Sequence, residues 1–361
     1  MKTLTRNRRG NTRLMAMVLL AAASGAGVSR TAGAAGGTLV VLNKSEATAS
    51  LIDLSRGETV ATVPTGNGPH EVAVSPDGTT AIATNYGTRD APGSTLTVID
   101  VPHARVVRTI DLGEYHRPHG VQWLADGKQV VVTSEESHKL LTVDVGRGKV
   151  TATADTGQET SHMVCVTPDG TRAFVANIGS GSVSVIDMAT GKRLSAIETG
   201  DGAEGITVSP DGTQVWVTNR GADTVTVLDA HSLDVLKELP SSSFPIRAKV
   251  TPDGRHALVS NARSGEVAVF DTHTLEEVRR ISMKLDAADT EGRLFGHRFG
   301  DSSVPIGILI RPDGKVAYVA NANADIISII DLTTWKTAGV LHPGREPDGM
   351  AYSRLTVASA G

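Results

Sequence analysis

Three histidines and a glutamate, His70, His119, His162 and Glu204, occupy one recurring position of a repeated motif, eight residues before a turn glycine. Imidazoles and a carboxylate are a recurring ligand set for Zn, Fe, Cu or Mn. If the repeats bring these side chains together, the expected chemistry is capture of a single transition metal ion or a small ligand. Aligning Pro347-Asp348-Gly349-Met350-Ala351-Tyr352-Ser353 with the motif puts Asp348 at the same position, and Ile246 and Ile306 complete the set. A ligating imidazole needs an acceptor for its second nitrogen. Glu204 or Asp348 would supply one, or would act as general base on a bound water. A structural reading stands beside this one. Repeats arise by duplication, and inherited histidines can serve as hydrogen-bonded joints between neighbouring units.

The elements that must position these residues repeat along the chain. An apolar strand (A) runs into Pro-Asp-Gly, at residues 76–78, 168–170, 210–212, 252–254 and 312–314, with a degenerate Ala125-Asp126-Gly127. Asp bonds its own backbone and Gly accepts positive φ, so each copy predicts a tight hairpin. Strand B follows and ends in Asn at 85, 177, 219, 261 and 321. Strand C ends in Asp at 53, 100, 144, 187, 229, 271 and 331. Strand D alternates apolar and charged residues, as an outer edge strand does. The period of about 42 residues predicts four strands per unit in a radial array. The fold expected is an all-β, seven-bladed β-propeller of four-stranded antiparallel blades. The C-terminal strand 348–353 should close the ring against the N-terminal strands in 38–64. Strand A is then innermost, and its first residues form one ring at the rim of the central channel. The turn and strand C aspartates recur all round the ring, so their role is turn formation and capping.

Tyr318-Val319-Ala320-Asn321 and its variants resemble the YVTN-type, YncE-like propeller repeats, over about residues 37–353. The resemblance implies the propeller fold and a periplasmic or cell-surface setting. The family includes binding proteins and relatives of lactonases and of propeller-borne metal enzymes, so it leaves the activity open. Blade II departs from the pattern with Ser134 in place of the strand B Asn.

Two segments exceed the repeat length. One is a loop from Asn85 to Ser94, and the other an insertion at 285–303 that makes its unit about 18 residues longer than the rest. Both belong to the face that carries the histidine ring. His116, together with His297 and Arg298 of the insertion, are candidate ligand-binding residues there. Seven of the eleven histidines map to that face.

Residues 1–34 read as a cleaved export signal, with Lys2, Arg6, Arg8, Arg9 and Arg13 before an apolar run from Leu14 to Val28 and an Ala32-Gly33-Ala34 cleavage site. The propeller domain is then 35–361, periplasmic or secreted, with no membrane span after cleavage. These 34 residues hold six basic side chains and no acidic ones, so removing them takes the formal net charge from −4 to about −10. Such a chain is a poor nucleic-acid binder. Cys165 is the single cysteine, so no intramolecular disulfide forms. No nucleophile elbow, phosphate loop or His-Glu-x-x-His is present, and no catalytic residue is assigned. A monomer is expected. Three functions stay open: a small-ligand or metal-binding propeller, a metal-dependent redox or hydrolytic enzyme using the same site, and an interaction scaffold whose faces bind a partner protein.

Overall fold

The computed structural model describes residues 36–283 and 296–358. The expected signal segment and most of the 285–303 insertion lie outside them. The described residues contain 28 strands in seven four-stranded antiparallel sheets. The inner strands are Pro69–Val74 (blade I), Pro118–Trp123 (II), Ser161–Val166 (III), Ala203–Val208 (IV), Pro245–Val250 (V), Pro305–Ile310 (VI) and Pro347–Ser353 (VII). Each inner strand contacts the next, and blade VII contacts blade I, so they encircle an axis. Blade VII contains both ends of the described chain. Pro347–Ser353 pairs with Thr38–Asn43, Val40 opposite Ala351.

The hairpin chemistry is local. Asp211 accepts bonds from the Thr213 amide (3.1 Å) and hydroxyl (2.9 Å), and Gly212 sits at φ +75°. The strand C aspartates cap the next turn in the same way; Asp187 accepts from Thr190 N at 2.7 Å. The strand B asparagines are buried, and all but Asn261 donate to a strand C hydroxyl, as Asn219 does to Thr226 Oγ1 at 2.9 Å. Sheets pack face to face. One cluster joins Phe174 and Val185 of blade III to Ile206, Val217 and Leu228 of blade IV. Removing apolar area from water at about 25 cal/mol per Å² is the main force holding blade to blade.

Three devices aim residues at the channel. Each inner strand carries a register shift near its start, as between Pro69 and Val72. An extra residue in a strand breaks strict alternation, which lets neighbours such as Ile246 and Arg247 both line the channel. Second, a strand B hydroxyl holds the carbonyl of the first channel residue in the next blade: Thr84 to His119 (2.9 Å), Thr133 to His162 (2.6 Å) and Thr218 to Ile246 (3.0 Å). Third, the next blade's backbone passes so close that a Cβ on Gly205 would stand 2.2 Å from Ile246 O, so only glycine fits there.

The stretch expected as a loop from Asn85 to Ser94 is mostly strand. Thr80–Gly87 and Pro92–Asp100 extend the hairpin, leaving 88–91 as its tip. Gly87, at φ +91°, permits the continuation. Residues 354–358 return to the body, where Leu355 O accepts from Thr38 Oγ1 and Ala358 N donates to Pro102 O.

Candidate functional site

The first residues of the seven inner strands meet at one mouth of the channel, around a cavity of about 320 Å³. His70, His119, His162, Glu204 and Asp348 make a polar arc, and Ile246 and Ile306 complete the circle. The aliphatic side is sealed by a cluster that includes Phe244, Phe299, Ala262 and Ala322.

A second row lies beside the first. It is made of the residue that follows the strand B Asn in each blade (Ser134 in blade II), and Lys44, Tyr86, Glu135, Ile178 and Arg220 all line the cavity. The backbone sets this row in place. Tyr86 N donates to Gly68 O, Glu135 N to Arg117 O and Arg220 N to Gly202 O, at 3.0–3.2 Å. The accepting residue stands just before the inner strand, in the left-handed region in all three blades. Sequence reasoning missed this row. The signal that finds it is the one used for the inner row: reading a single position round the ring, here the residue after the strand B Asn.

The imidazoles stack in sequence. His70 meets His119 edge-on with ring centroids 4.9 Å apart, and His119 lies 3.6 Å from His162. His70 Nδ1 is engaged by Gly68 O at 2.7 Å. His119 is 2% exposed, and its Nδ1 has no hydrogen-bond partner. His162 Nδ1 bonds Glu135 Oε1, and the other oxygen of Glu135 accepts from Tyr86 OH at 2.6 Å. His162 Nε2 faces Glu204 Oε1 at 3.4 Å without a hydrogen bond. Ligand atoms of His119, Glu135 and His162 all lie within 4.8 Å of one another, and all three residues are buried.

Charges are paired around this cluster. Arg220 Nη1 lies 2.8 Å from Glu204 Oε2, and Lys44 Nζ lies 2.6 Å from Asp348 Oδ2. Arg247 bonds Glu71 through Nη2 and Nε and stands 3.6 Å from Glu204 Oε1. The two carboxylates expected as acceptor or base are thus already ion-paired. Burial would raise the Glu204 carboxyl, but Arg220, His162 and Arg247 outweigh it and hold it at about 2. Burial and the Lys44 charge push His70 down to about 3. Burial also holds His119 well below the usual histidine range, with His162 adding to the effect. For His162 burial works the same way, yet Glu135 and Glu204 overcome it and raise the imidazole above its ordinary value. Three adjacent histidines thus carry unlike charge states, two neutral and one ready to hold a proton.

The other expected residues lie apart. His116 does not line the cavity; its carbonyl accepts from Ser134 Oγ at 2.6 Å. Arg298 is exposed, with its guanidinium 5.9 Å from the Phe299 ring. The His297 side chain lies outside the described residues. A neighbouring cavity of about 660 Å³ shares Lys44, His70 and Tyr86 with the mouth and adds Arg89 and Arg117 from the extended hairpin and its neighbour. Arg117 sits over the Tyr86 ring at 5.0 Å.

Among the described residues, no helix is long and apolar enough to cross a membrane. Two solved structures share the architecture. Kuenenia stuttgartiensis hydrazine synthase aligns with a TM-score of 0.62 and 22% identity, over 73% of this chain and 77% of its own. A functionally unknown protein from Desulfotomaculum acetoxidans DSM 771 aligns with a TM-score of 0.71 and 16% identity, over 88% and 99%. At these identities the likeness is one of fold. No curated protein matches the sequence. The family profile described as YNCE-like beta-propeller matches residues 12–129 and 125–295. With the ring of four-stranded blades and that match spanning most of the chain, the protein belongs to the YNCE-like β-propeller family.

Proposed function

We propose that the channel mouth binds one divalent transition metal ion through His119, His162 and Glu135. The observation that carries this reading is the convergence of their ligand atoms within 4.8 Å, with an unpartnered Nδ1 on His119. Two imidazoles and one carboxylate suit Zn or Fe, and such a set leaves further positions for water or substrate on the cavity side. Glu204 and His70 border the same cavity. Glu204 contributes charge through its ion pairs rather than a free carboxylate. Tyr86 fixes the far oxygen of Glu135, which orients the carboxylate. A metal takes imidazole in its neutral form, so binding must expel the proton that Glu135 and Glu204 favour on His162. Ligands for such a site reach it from the adjoining basic cavity of Lys44, Arg89 and Arg117, which favours small anions. The basic-then-apolar segment in residues 1–34 supports an exported, periplasmic or secreted setting.

The test is elemental analysis of protein purified without a His tag under metal-replete conditions, repeated on His119→Ala and Glu135→Gln. Near-stoichiometric Zn, Fe, Cu or Mn in the parent protein, lost in both variants while they stay folded, is the expected result. Absence of metal from the parent, or equal metal in all three, overturns the reading in favour of a hydrogen-bonded plug between blades.

A further inference from the structure

Glu71 of blade I and Arg247 of blade V belong to non-adjacent blades, and their ion pair spans the channel like a crossbar. The mouth described above lies on one side of it. On the other side is a separate cavity of about 540 Å³, to which both residues also contribute. Its wall holds the residues three places beyond the mouth ring on each inner strand: Ala73, Gln122, Cys165, Thr207, Leu309 and Ala351, with Lys249 in blade V. Valine, isoleucine and methionine side chains fill the spaces between them, along with Trp123.

The polar groups on this wall are largely spoken for. Gln122 Oε1 accepts from Val166 N at 3.1 Å, and Trp123 Nε1 donates to Ala73 O at 3.0 Å. Arg247 and Glu71 neutralise each other. Lys249 is the exception. It is partly buried in the wall, and its ammonium has no ion-pair or hydrogen-bond partner among the described residues. Burial holds it below the ordinary lysine range, although the Glu71 charge opposes this. One uncompensated positive charge, in a chamber whose other charges are paired and whose remaining wall is largely valine, isoleucine, methionine and tryptophan, calls for one negative charge on an apolar body. The chamber is within the size range of small-molecule sites, roughly 300–1,000 Å³.

We propose that this chamber is a second binding site, for a small apolar monocarboxylate whose head group pairs with Lys249 and whose hydrocarbon part lies against the valine, isoleucine and Trp123 wall. A dianion would be left with one charge unpaired, and a cation would meet the ammonium. The site is independent of the metal cluster, from which the crossbar separates it.

The experiment is calorimetric titration of the full-length protein with decanoate, decanol and decyltrimethylammonium. Decanoate should bind, decanol should bind more weakly and the cation should not bind. Lys249→Met should weaken decanoate by about tenfold or more and leave decanol unchanged, while Lys249→Arg keeps decanoate binding. Equal decanoate binding to parent and Lys249→Met, or none to the parent, overturns the proposal. Metal content of Lys249→Met should match the parent and its thermal midpoint should not fall, which separates this site from the mouth. Location is read independently through Trp123, which is in the same wall. Decanoate should change the tryptophan fluorescence of the parent but not of Trp123→Phe, and no change in the parent, or equal changes in both, would also overturn the proposal.

Discussion

Carboxylates at the turns and at the channel mouth are both held below the ordinary carboxylate range, by different means. At the turns, Asp77, Asp169 and Asp211 are lowered first by a hydroxyl from Ser75, Thr167 or Ser209 and then by backbone amides. These bonds are local and mostly exposed, and the same few residues make them in blade after blade. At the mouth, Glu204 and Asp348 are dry, and burial alone would raise them. They stay ionised because Arg220 and Lys44, each from the second strand's end of the same blade, and Arg247 from blade V reach them. The first arrangement is repeated and structural, and each copy stands without the others. The second occurs once, and each of its charges depends on a partner outside its own turn: Arg220 at the far end of the hairpin for Glu204, Lys44 from the other end of the chain for Asp348. Asymmetry among repeats, rather than polarity as such, marks where chemistry can collect.

Three measurements sharpen or break this contrast. Acid should have the largest effect. A group whose folded pKa is depressed stabilises the fold above its ordinary pKa, and that contribution is lost as pH falls through the folded value. The ordinary values are 3.8 and 4.5, and Asp169 and Glu204 are held at about 2. The thermal midpoint should therefore hold down to about pH 4 and fall between about pH 4 and 2. His162 carries the opposite sign. Its raised pKa gives stability that is complete below 6.5 and lost as pH rises through the folded value. His162→Gln should abolish an alkaline decline and leave the acid limb in place. An acid limb that vanished in this variant would break the distinction between the two regions.

Second in size is Arg247→Met. It leaves Glu71 without its crossbar partner and Glu204 with one cation fewer, at a cost of about 3–5 kcal/mol in denaturant unfolding. The smallest effect is expected for Asp211→Ala. It removes a partner of Ser209 and Thr213 in one turn and should cost about 1 kcal/mol, with metal content unchanged. If Asp211→Ala proved as costly as Arg247→Met, the turn would be coupled to the mouth in a way these contacts do not provide.

Much of this was legible in the residues. Each Pro-Asp-Gly copy carries its own turn chemistry, and each strand its own alternation, so the blades could be counted before any contact was known. Counting back from the turn glycine placed His70, His119, His162 and Glu204 on one ring, and aligning Pro347–Ser353 with the motif added Asp348. The row containing Lys44, Tyr86, Glu135 and Arg220 was harder to see, because no two of these residues are alike, the row runs on into Ile178, Ala262 and Ala322, and Glu135 follows Ser134, where the repeat itself breaks. Residues 85–94 stand out in the sequence as excess over the repeat length, which suggests a loop, whereas pairing of Thr80–Gly87 with Pro92–Asp100 carries the hairpin through most of that stretch.

The sequence by itself determined the hairpins, their number and one position in each that faces the axis, because those features depend on neighbours a few residues away. Only the tertiary structure decided which side chains meet there. Glu71 finds Arg247 across 176 positions of chain, Glu204 is taken by Arg220, and Glu135 enters beside His119 and His162. The same ring closure leaves Lys249 without a partner in the chamber beyond the crossbar. Partnership across the channel follows from closing the ring and excluding water from its centre, and no local pattern encodes that.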